Sequence, residues 1–299
     1  MKTYIGVDLG GTNVRVAKVN ELGEILQEVK SPSYAQEGPK KVMENLMDCI
    51  RQIDDLKSCS GIGLGVPGPV DTQKGEMIMA TNLPGFEQYP IAKTLEAEFS
   101  LPTYVDNDAN VAGLAEALVG AGKGLPVVYY ITQSTGIGGA LIVDGKVVSG
   151  RFGHAGEIGN IIIDRNRKKY NHLNVGAVEN EASGNALIRI AREKIDPSID
   201  SAAQLFKLVK ENHPVALEIV DTMAYDFAMM CSAISHVCDP YAFIIGGGVT
   251  KSKDLYFEQM KSYYRDLVHV GMREVDFFTA SLSEPGLIGA AMLPVSYGK

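Results

Sequence analysis

Two glycine-threonine turns of one design, Asp8-Leu9-Gly10-Gly11-Thr12-Asn13 and Ser134-Thr135-Gly136-Ile137-Gly138-Gly139, recur in widely separated parts of the chain. Each follows an apolar, β-rich run (Tyr4 to Val7; Val127 to Ile131). Each leads into a second apolar run, a tight glycine turn (Leu22-Gly23; Asp144-Gly145) and further apolar residues. The chain thus repeats a strand-turn-strand-turn-strand unit. Two copies of one unit predict two similar half-molecules facing each other across a cleft.

A length of 299 residues is long for a single core and predicts two domains. With 45% hydrophobic and 21% charged residues, disorder is not expected. The net charge of -8 and the lack of a long Lys/Arg run argue against a nucleic-acid partner. Arg165-Asn166-Arg167-Lys168-Lys169 reads as a solvated loop. The cysteines (Cys49, Cys59, Cys231, Cys238) form no C-x-x-C pattern, and the last two fall about two turns apart on one expected helix, as buried thiols would. No signal segment or membrane-length apolar span is visible, so a cytoplasmic protein with no membrane partner is expected.

Residues 3–8, 13–19 and 24–30 predict an antiparallel meander. Helices are expected from Pro39 to about Ile53 and over Ile91 to Phe99, with a buried strand at Gly61 to Val66. A strand at Thr103 to Val105 leads into a helix that runs to Leu118 and stops at Gly120-Ala121-Gly122. The repeat then restarts with strands near 127–132, 139–143 and 146–149, followed by a loop to about 178. Helices follow at 180–194, 201–211 and 215–238. A buried strand, Tyr241 to Ile245, enters Gly246-Gly247-Gly248, and a last helix covers Leu287 to Leu293.

Gly63-Leu64-Gly65-Val66-Pro67-Gly68 matches G-x-G-x-x-G, but Pro67 and Pro69 deny it the helix start that a dinucleotide site needs; it reads as a tight strand exit. The paired turns carry a mechanism. Backbone N–H groups of Gly10, Gly11, Gly136 and Gly138 can approach phosphate oxygens closely, and Thr12 and Thr135 add hydroxyl donors. Asp8 is placed to hold the water shell of a magnesium ion. Either turn alone would read as an ordinary hairpin; together they favour phosphate binding. Asp108 and Asn107, at a strand-to-helix junction, read by themselves as capping residues.

This combination resembles the superfamily of sugar kinases, heat-shock chaperone ATPases and actin. The resemblance implies an α/β fold of two duplicated actin-like ATPase (ribonuclease H-like) domains, with mixed β-sheets flanked by helices and a cleft between them. The domains would be 1–119, joined by a C-terminal helix at 287–299, and 120–286. ATP and Mg2+ would bind through Asp8, Gly10, Gly11, Thr12, Asn13, Thr135, Gly136 and Gly138, with Gly247 and Gly248 receiving the adenosine.

Asp106-Asn107-Asp108-Ala109-Asn110, Gly153-His154-Ala155-Gly156-Glu157-Ile158-Gly159, Thr81-Asn82-Leu83-Pro84-Gly85-Phe86 and Glu179-Asn180-Glu181-Ala182-Ser183-Gly184 resemble the ROK family of bacterial sugar kinases and sugar-responsive repressors. What this implies is that Asp108 is the catalytic base for an attacking sugar hydroxyl. Gly68, Asn82, Asn107, Glu157, Asn160 and Glu179 would line the sugar pocket. Many members carry a zinc site, a His after Glu-x-Gly plus three cysteines. Here those positions are Asn160, Tyr170, His172 and Ala177, so no zinc is expected.

The resemblance implies an ATP-dependent hexokinase-type phosphotransferase acting on the glucose 6-hydroxyl, because Asn82 to Phe86 is similar to glucokinase members. Fructose, allose, N-acetylmannosamine and a β-glucoside are the rival substrates. A sugar-sensing regulator would need a DNA-binding domain, whereas only Met1 to Thr3 precede the first strand. A chaperone-like or filament-forming ATPase leaves Asn107, Asp108, Glu157 and Glu179 without a purpose. A homodimer is compatible with the family; the sequence does not give the oligomeric state.

Overall fold

The computed structural model describes residues 1–80 and 82–298; Thr81, part of one motif above, and Lys299 lie outside them. The chain opens with β1 (Thr3–Leu9), β2 (Asn13–Asn20) and β3 (Ile25–Pro32), an antiparallel meander. Helix α1 (Pro39–Arg51) starts on a proline and buries Val42, Leu46, Cys49 and Ile50 as one stripe. Then come β4 (Ile62–Val66), the small hairpin β5 (Val70–Asp71) and β6 (Glu76–Met77), α2 (Ile91–Phe99), β7 (Thr103–Asn107) and α3 (Asp108–Leu118). Strands β4 and β7 add in parallel, giving the order β3-β2-β1-β4-β7. Strand β4, paired on both edges with β1 and β7, is buried along its whole length, as a parallel strand covered on both faces must be.

The same plan follows again with β8 (Val127–Gln133), β9 (Ile137–Val143) and β10 (Lys146–Val147). Next come α4 (Glu179–Ala182), α5 (Gly184–Lys194), α6 (Ala202–Lys210) and α7 (Pro214–Cys238). Strand β11 (Ala242–Gly246), α8 (Phe257–Leu267), β12 (Asp276–Thr279) and α9 (Pro285–Tyr297) complete the chain. The second sheet, β10-β9-β8-β11-β12, has the strand order of the first, so the repeat read in the turns is a repeat of whole sheets.

The chain forms two compact units. The first comprises Met1–Pro126, Ala140–Gly156 and Ser281–Lys299; the second comprises Val127–Gly139 and Glu157–Ala280. In the first unit α9 lies on glycines. A Cβ on Gly6 would strike the Leu287 carbonyl oxygen, and one on Gly63 the Ala290 carbonyl oxygen. Leu287, Ala290, Ala291 and Leu293 pack there with Tyr4, Val19, Val111 and Leu114.

Several elements differ from the sequence expectation, among them the small β5–β6 hairpin, which the sequence pattern does not predict. The helix expected over 180–194 is interrupted at Ser183, whose hydroxyl accepts from Ala186 N at 3.2 Å and caps α5. Helix α8 and strand β12 are additional. Tyr264 and Phe277 pack on Phe243 of β11 and on each other, and Phe257 packs on Phe277.

Candidate active site

In the first unit, β1 delivers Asp8 to the edge of a turn closed by Gly10 N donating to Asn13 O at 3.0 Å. Gly11, Thr12 and Asn13 are exposed. Gly11 must lack a side chain, because a Cβ there would stand 2.7 Å from Asn82 O. The phosphate turn and the expected sugar residue Asn82 are thereby backbone neighbours. Gly68 (φ 92°) has the same constraint, with Met79 O 2.8 Å from a Cβ. Burial raises the Asp8 carboxyl above its ordinary range, opposed by the Arg15 charge and reinforced by Glu284. Arg15 is itself paired with Glu284 at 2.6 Å and Glu28 at 3.0 Å.

At the β7–α3 junction, the Asn107 side-chain oxygen accepts from Asn110 N at 2.7 Å and caps α3. Asp108 follows as the first residue of the helix, exposed, with Oδ1 accepting from Ala109 N at 2.8 Å. The cap is thus supplied by Asn107, and Asp108 is exposed at the first position of the helix. Asp106 is buried beneath them and accepts from Asn107 N, the Asn110 amide and the Tyr297 hydroxyl. Burial raises its pKa against these three bonds and one from Ser149.

In the second unit, β8 and β9 present the turn Ser134 to Gly136, with Thr135 exposed. The first N–H groups of α5 hold it from behind, Gly184 N donating to Ser134 O at 2.7 Å and Asn185 N to Thr135 O at 3.3 Å. Glu179 Oε2 accepts from Ile137 N at 2.8 Å. A Cβ on Gly136 would lie 2.6 Å from that carboxylate and one on Gly159 3.0 Å from it. Glu179 is thus fixed directly against the second hairpin. Glu157 is exposed at the start of the short turn Ile158–Asn160. Asn160 uses its side-chain oxygen to accept from Asn174 N at 2.8 Å. Gly247 (φ 95°) is pressed onto the Gln133 carbonyl, whereas Gly248 has nothing within 4 Å of a Cβ.

Among the described residues no group of three or more His, Cys, Asp or Glu is arranged to hold a metal ion. The 160–178 loop is tied by backbone bonds, Val178 N to Ile161 O and Ile163 N to Gly176 O, both 2.9 Å. Its side-chain anchor is Arg167, which the sequence suggested to be solvated. Arg167 bonds Asp164 at 3.1 Å, Glu181 of α4 at 2.9 Å and Asp226 of α7 at 3.1 Å. A second node invisible to sequence reading is Glu116 on α3, fully buried. It accepts from Ala121 N, Ser281 N, Leu282 N and the Ser281 hydroxyl. Its only sequence signal is a carboxylate on an otherwise apolar helix.

Two duplicated sheets, each with a glycine hairpin at the end of its first strand and carboxylates nearby, define a nucleotide-dependent phosphotransferase architecture. The ROK family model matches residues 4–296, and this chain belongs to the ROK family. It is 32% identical to the glucokinase of Halalkalibacterium halodurans, over 97% of this chain and 94% of that one. The ROK hexokinase of Thermus thermophilus superimposes with a TM-score of 0.90 at 31% identity, covering 99% of this chain and 100% of that one. A ROK family glucokinase from Streptomyces griseus, solved in complex with glucose and AMPPNP, gives 0.76 at 28% identity and covers 97% and 98%. No helix of the described residues is long and apolar enough to cross a membrane.

Proposed function

We propose that this chain is an ATP-dependent sugar kinase that transfers the γ-phosphate to the 6-hydroxyl of glucose. The observation that carries the reading is Glu179. A carboxylate suited to sugar hydroxyls is bonded to Ile137 N of the second glycine hairpin, so a sugar partner and a phosphate cradle are built as one piece. The glucokinases among its relatives support the choice of sugar.

In this reading Gly10, Gly11, Thr12 and Asn13 on the first unit, and Thr135, Gly136 and Gly138 on the second, donate to the phosphates. Gly247 and Gly248 receive the adenosine. Asp8 fits a magnesium ion held through water: it is a half-buried carboxylate beside the turn, and the burial that raises its affinity for protons would favour a cation there. When bound, the ion neutralises phosphate charge. Asn82, Asn107, Glu157, Glu179 and Asn160 orient the sugar, with Gly68 beside them. The sugar oxygen bonds to the γ-phosphorus as the bond to the β–γ bridging oxygen breaks; ADP leaves and Asp108 takes the hydroxyl proton. A weak base suffices, because a loose phosphoryl transition state asks mainly for positioning. A cytosolic location accords with ATP as co-substrate.

The test is ADP release across a panel of glucose, fructose, allose, N-acetylmannosamine and a β-glucoside, with wild type and Asp108→Asn. Glucose is expected to give the highest kcat/KM, and Asp108→Asn to lose about 10²-fold or more in kcat. Sugar-independent ATP turnover, or an Asp108→Asn enzyme that keeps most of its rate, would refute the reading.

A further inference from the structure

The β7–α3 junction is held from the far end of the chain. The Tyr297 hydroxyl, on the last turn of α9, donates to Asp106 Oδ2 at 2.6 Å. The other Asp106 oxygen accepts from Asn107 N at 2.7 Å and from the Asn110 amide at 2.8 Å. Asn110 N in turn donates to the Asn107 cap at 2.7 Å. Beside the β4–β7 ladder, the backbone immediately before Asp108 is thus held by bonds to one buried carboxylate, and Tyr297 secures its other oxygen.

Tyr297 also reaches a second segment. Its hydroxyl lies 2.6 Å from Ser149 Oγ; with the Tyr297 proton committed to Asp106, Ser149 is the donor. Ser149 O accepts from Ala155 N at 3.1 Å and closes a loop over residues 149–155. That loop takes left-handed φ values at Gly150 (75°) and Gly153 (71°), and a Cβ on Gly153 would strike the Val70 carbonyl of β5. The loop carries Gly153 and His154.

We propose that Tyr297 is a positioning residue for phosphoryl transfer, its hydroxyl locking the Asp106 platform beneath Asp108 to the 149–155 loop. The inference rests on the reading of Asp108 as the base. Removing the hydroxyl leaves the Tyr104–Tyr297 ring stack (centroids 6.2 Å apart) in place, so Tyr297→Phe deletes the two hydrogen bonds and little else. The Asp106 carboxylate then keeps the Ser149 hydroxyl as its remaining side-chain O–H donor, and the α3 start loses part of its support. Misplacement of a reacting group by fractions of an ångström is costly in rate.

The experiment compares steady-state kinetics per folded molecule for wild type, Tyr297→Phe, Ser149→Ala and Ser296→Ala. Ser296 is one residue away on α9 and bonds Val147 N at 3.1 Å without touching Asp106, so its variant reports helix anchoring alone. Tyr297→Phe is expected to lower kcat about tenfold, with the nucleotide KM within about twofold of wild type. Ser149→Ala should lower kcat by about threefold, since it removes only one of the hydroxyl's bonds, and Ser296→Ala should leave kcat unchanged. Should Tyr297→Phe not fold, the contrast between Ser149→Ala and Ser296→Ala decides. Unchanged kcat in the Tyr297 and Ser149 variants, or an equal loss in Ser296→Ala, overturns the proposal. Asp108→Asn separates the two levels. If it is inactive while Tyr297→Phe is unaffected, the base assignment stands and the positioning role falls; if it is active, the base assignment itself falls.

Discussion

Arg167 sets one guanidinium against two buried carboxylates, Glu181 and Asp226, with Asp164 at the rim. One positive charge does not neutralise three acids, and burial pushes the Asp226 carboxyl up to about 6 despite Arg167. The direction of its effect on stability follows from the raised value. The folded protein holds this proton more tightly than the unfolded chain, so the contribution is fully present below pH about 4 and is lost as pH rises through about 6. Asp226→Asn keeps an oxygen to accept from Arg167 and removes the titration. Its stability relative to wild type should therefore increase from pH 4 to pH 6 and level off above pH 7. The shift from 3.8 to about 6 sets the scale at roughly 3 kcal/mol. Urea midpoints at pH 4, 5, 6 and 7.5 check this; a pH-independent difference would mean that Asp226 stays ionised throughout. Neither this node nor Glu116 was legible in the sequence. A basic run and a helix-borne glutamate look locally like solvated groups, and their partners are brought from 59 and 165 residues away. The hairpin turns were legible because glycine, threonine and flanking apolar strands state their conformation locally.

Elements were legible where their pattern is local and obscure where packing decides. The opening meander follows alternation and turn glycines, whereas β12 is only four residues long and α8 owes its place to aromatic packing on Phe243. The seat of α9 is a clear case of packing choosing residues. Gly6 and Gly63 on the sheet and Gly289 on the helix are pressed against backbone atoms of Leu287, Ala290 and Val111. None of these glycines has a positive φ, so close approach and not backbone conformation demands them. In the sequence Gly63 belongs to an expected buried strand and to a false nucleotide fingerprint, and neither shows that a helix lies on it. Gly63→Ala should cost about 2 kcal/mol or more by forcing α9 off β4. Gly271→Ala, with nothing within 4 Å of the new Cβ, should stay within about 0.5 kcal/mol of wild type. Denaturant unfolding compares them directly, and equal midpoints would show that α9 yields freely.

At the scale of the whole molecule, the duplication visible in two short turns becomes two sheets of identical order. Neither unit is continuous in sequence, because the chain alternates between them through five segments. The first unit takes α9 from the end of the chain and Ala140–Gly156 from its middle. Those segments supply Val147, Leu287, Ala290, Ala291 and Leu293 to the cluster that buries Tyr4, Val19, Val111 and Leu114. They also supply Tyr297 and Ser149 to Asp106 and the Ser281 and Leu282 donors to Glu116. A fragment ending at Pro126 would keep every strand of the first sheet, yet it would expose one apolar face and leave two buried acids without these partners. Unpaired buried charge and uncovered apolar surface are each costly relative to a net stability of about 5–15 kcal/mol. Residues 1–126 alone should therefore give no cooperative thermal transition by circular dichroism, although they contain the first glycine hairpin and Asp108. A sharp melting transition from that fragment would show that the local signals of the opening repeat suffice to fold it without α9.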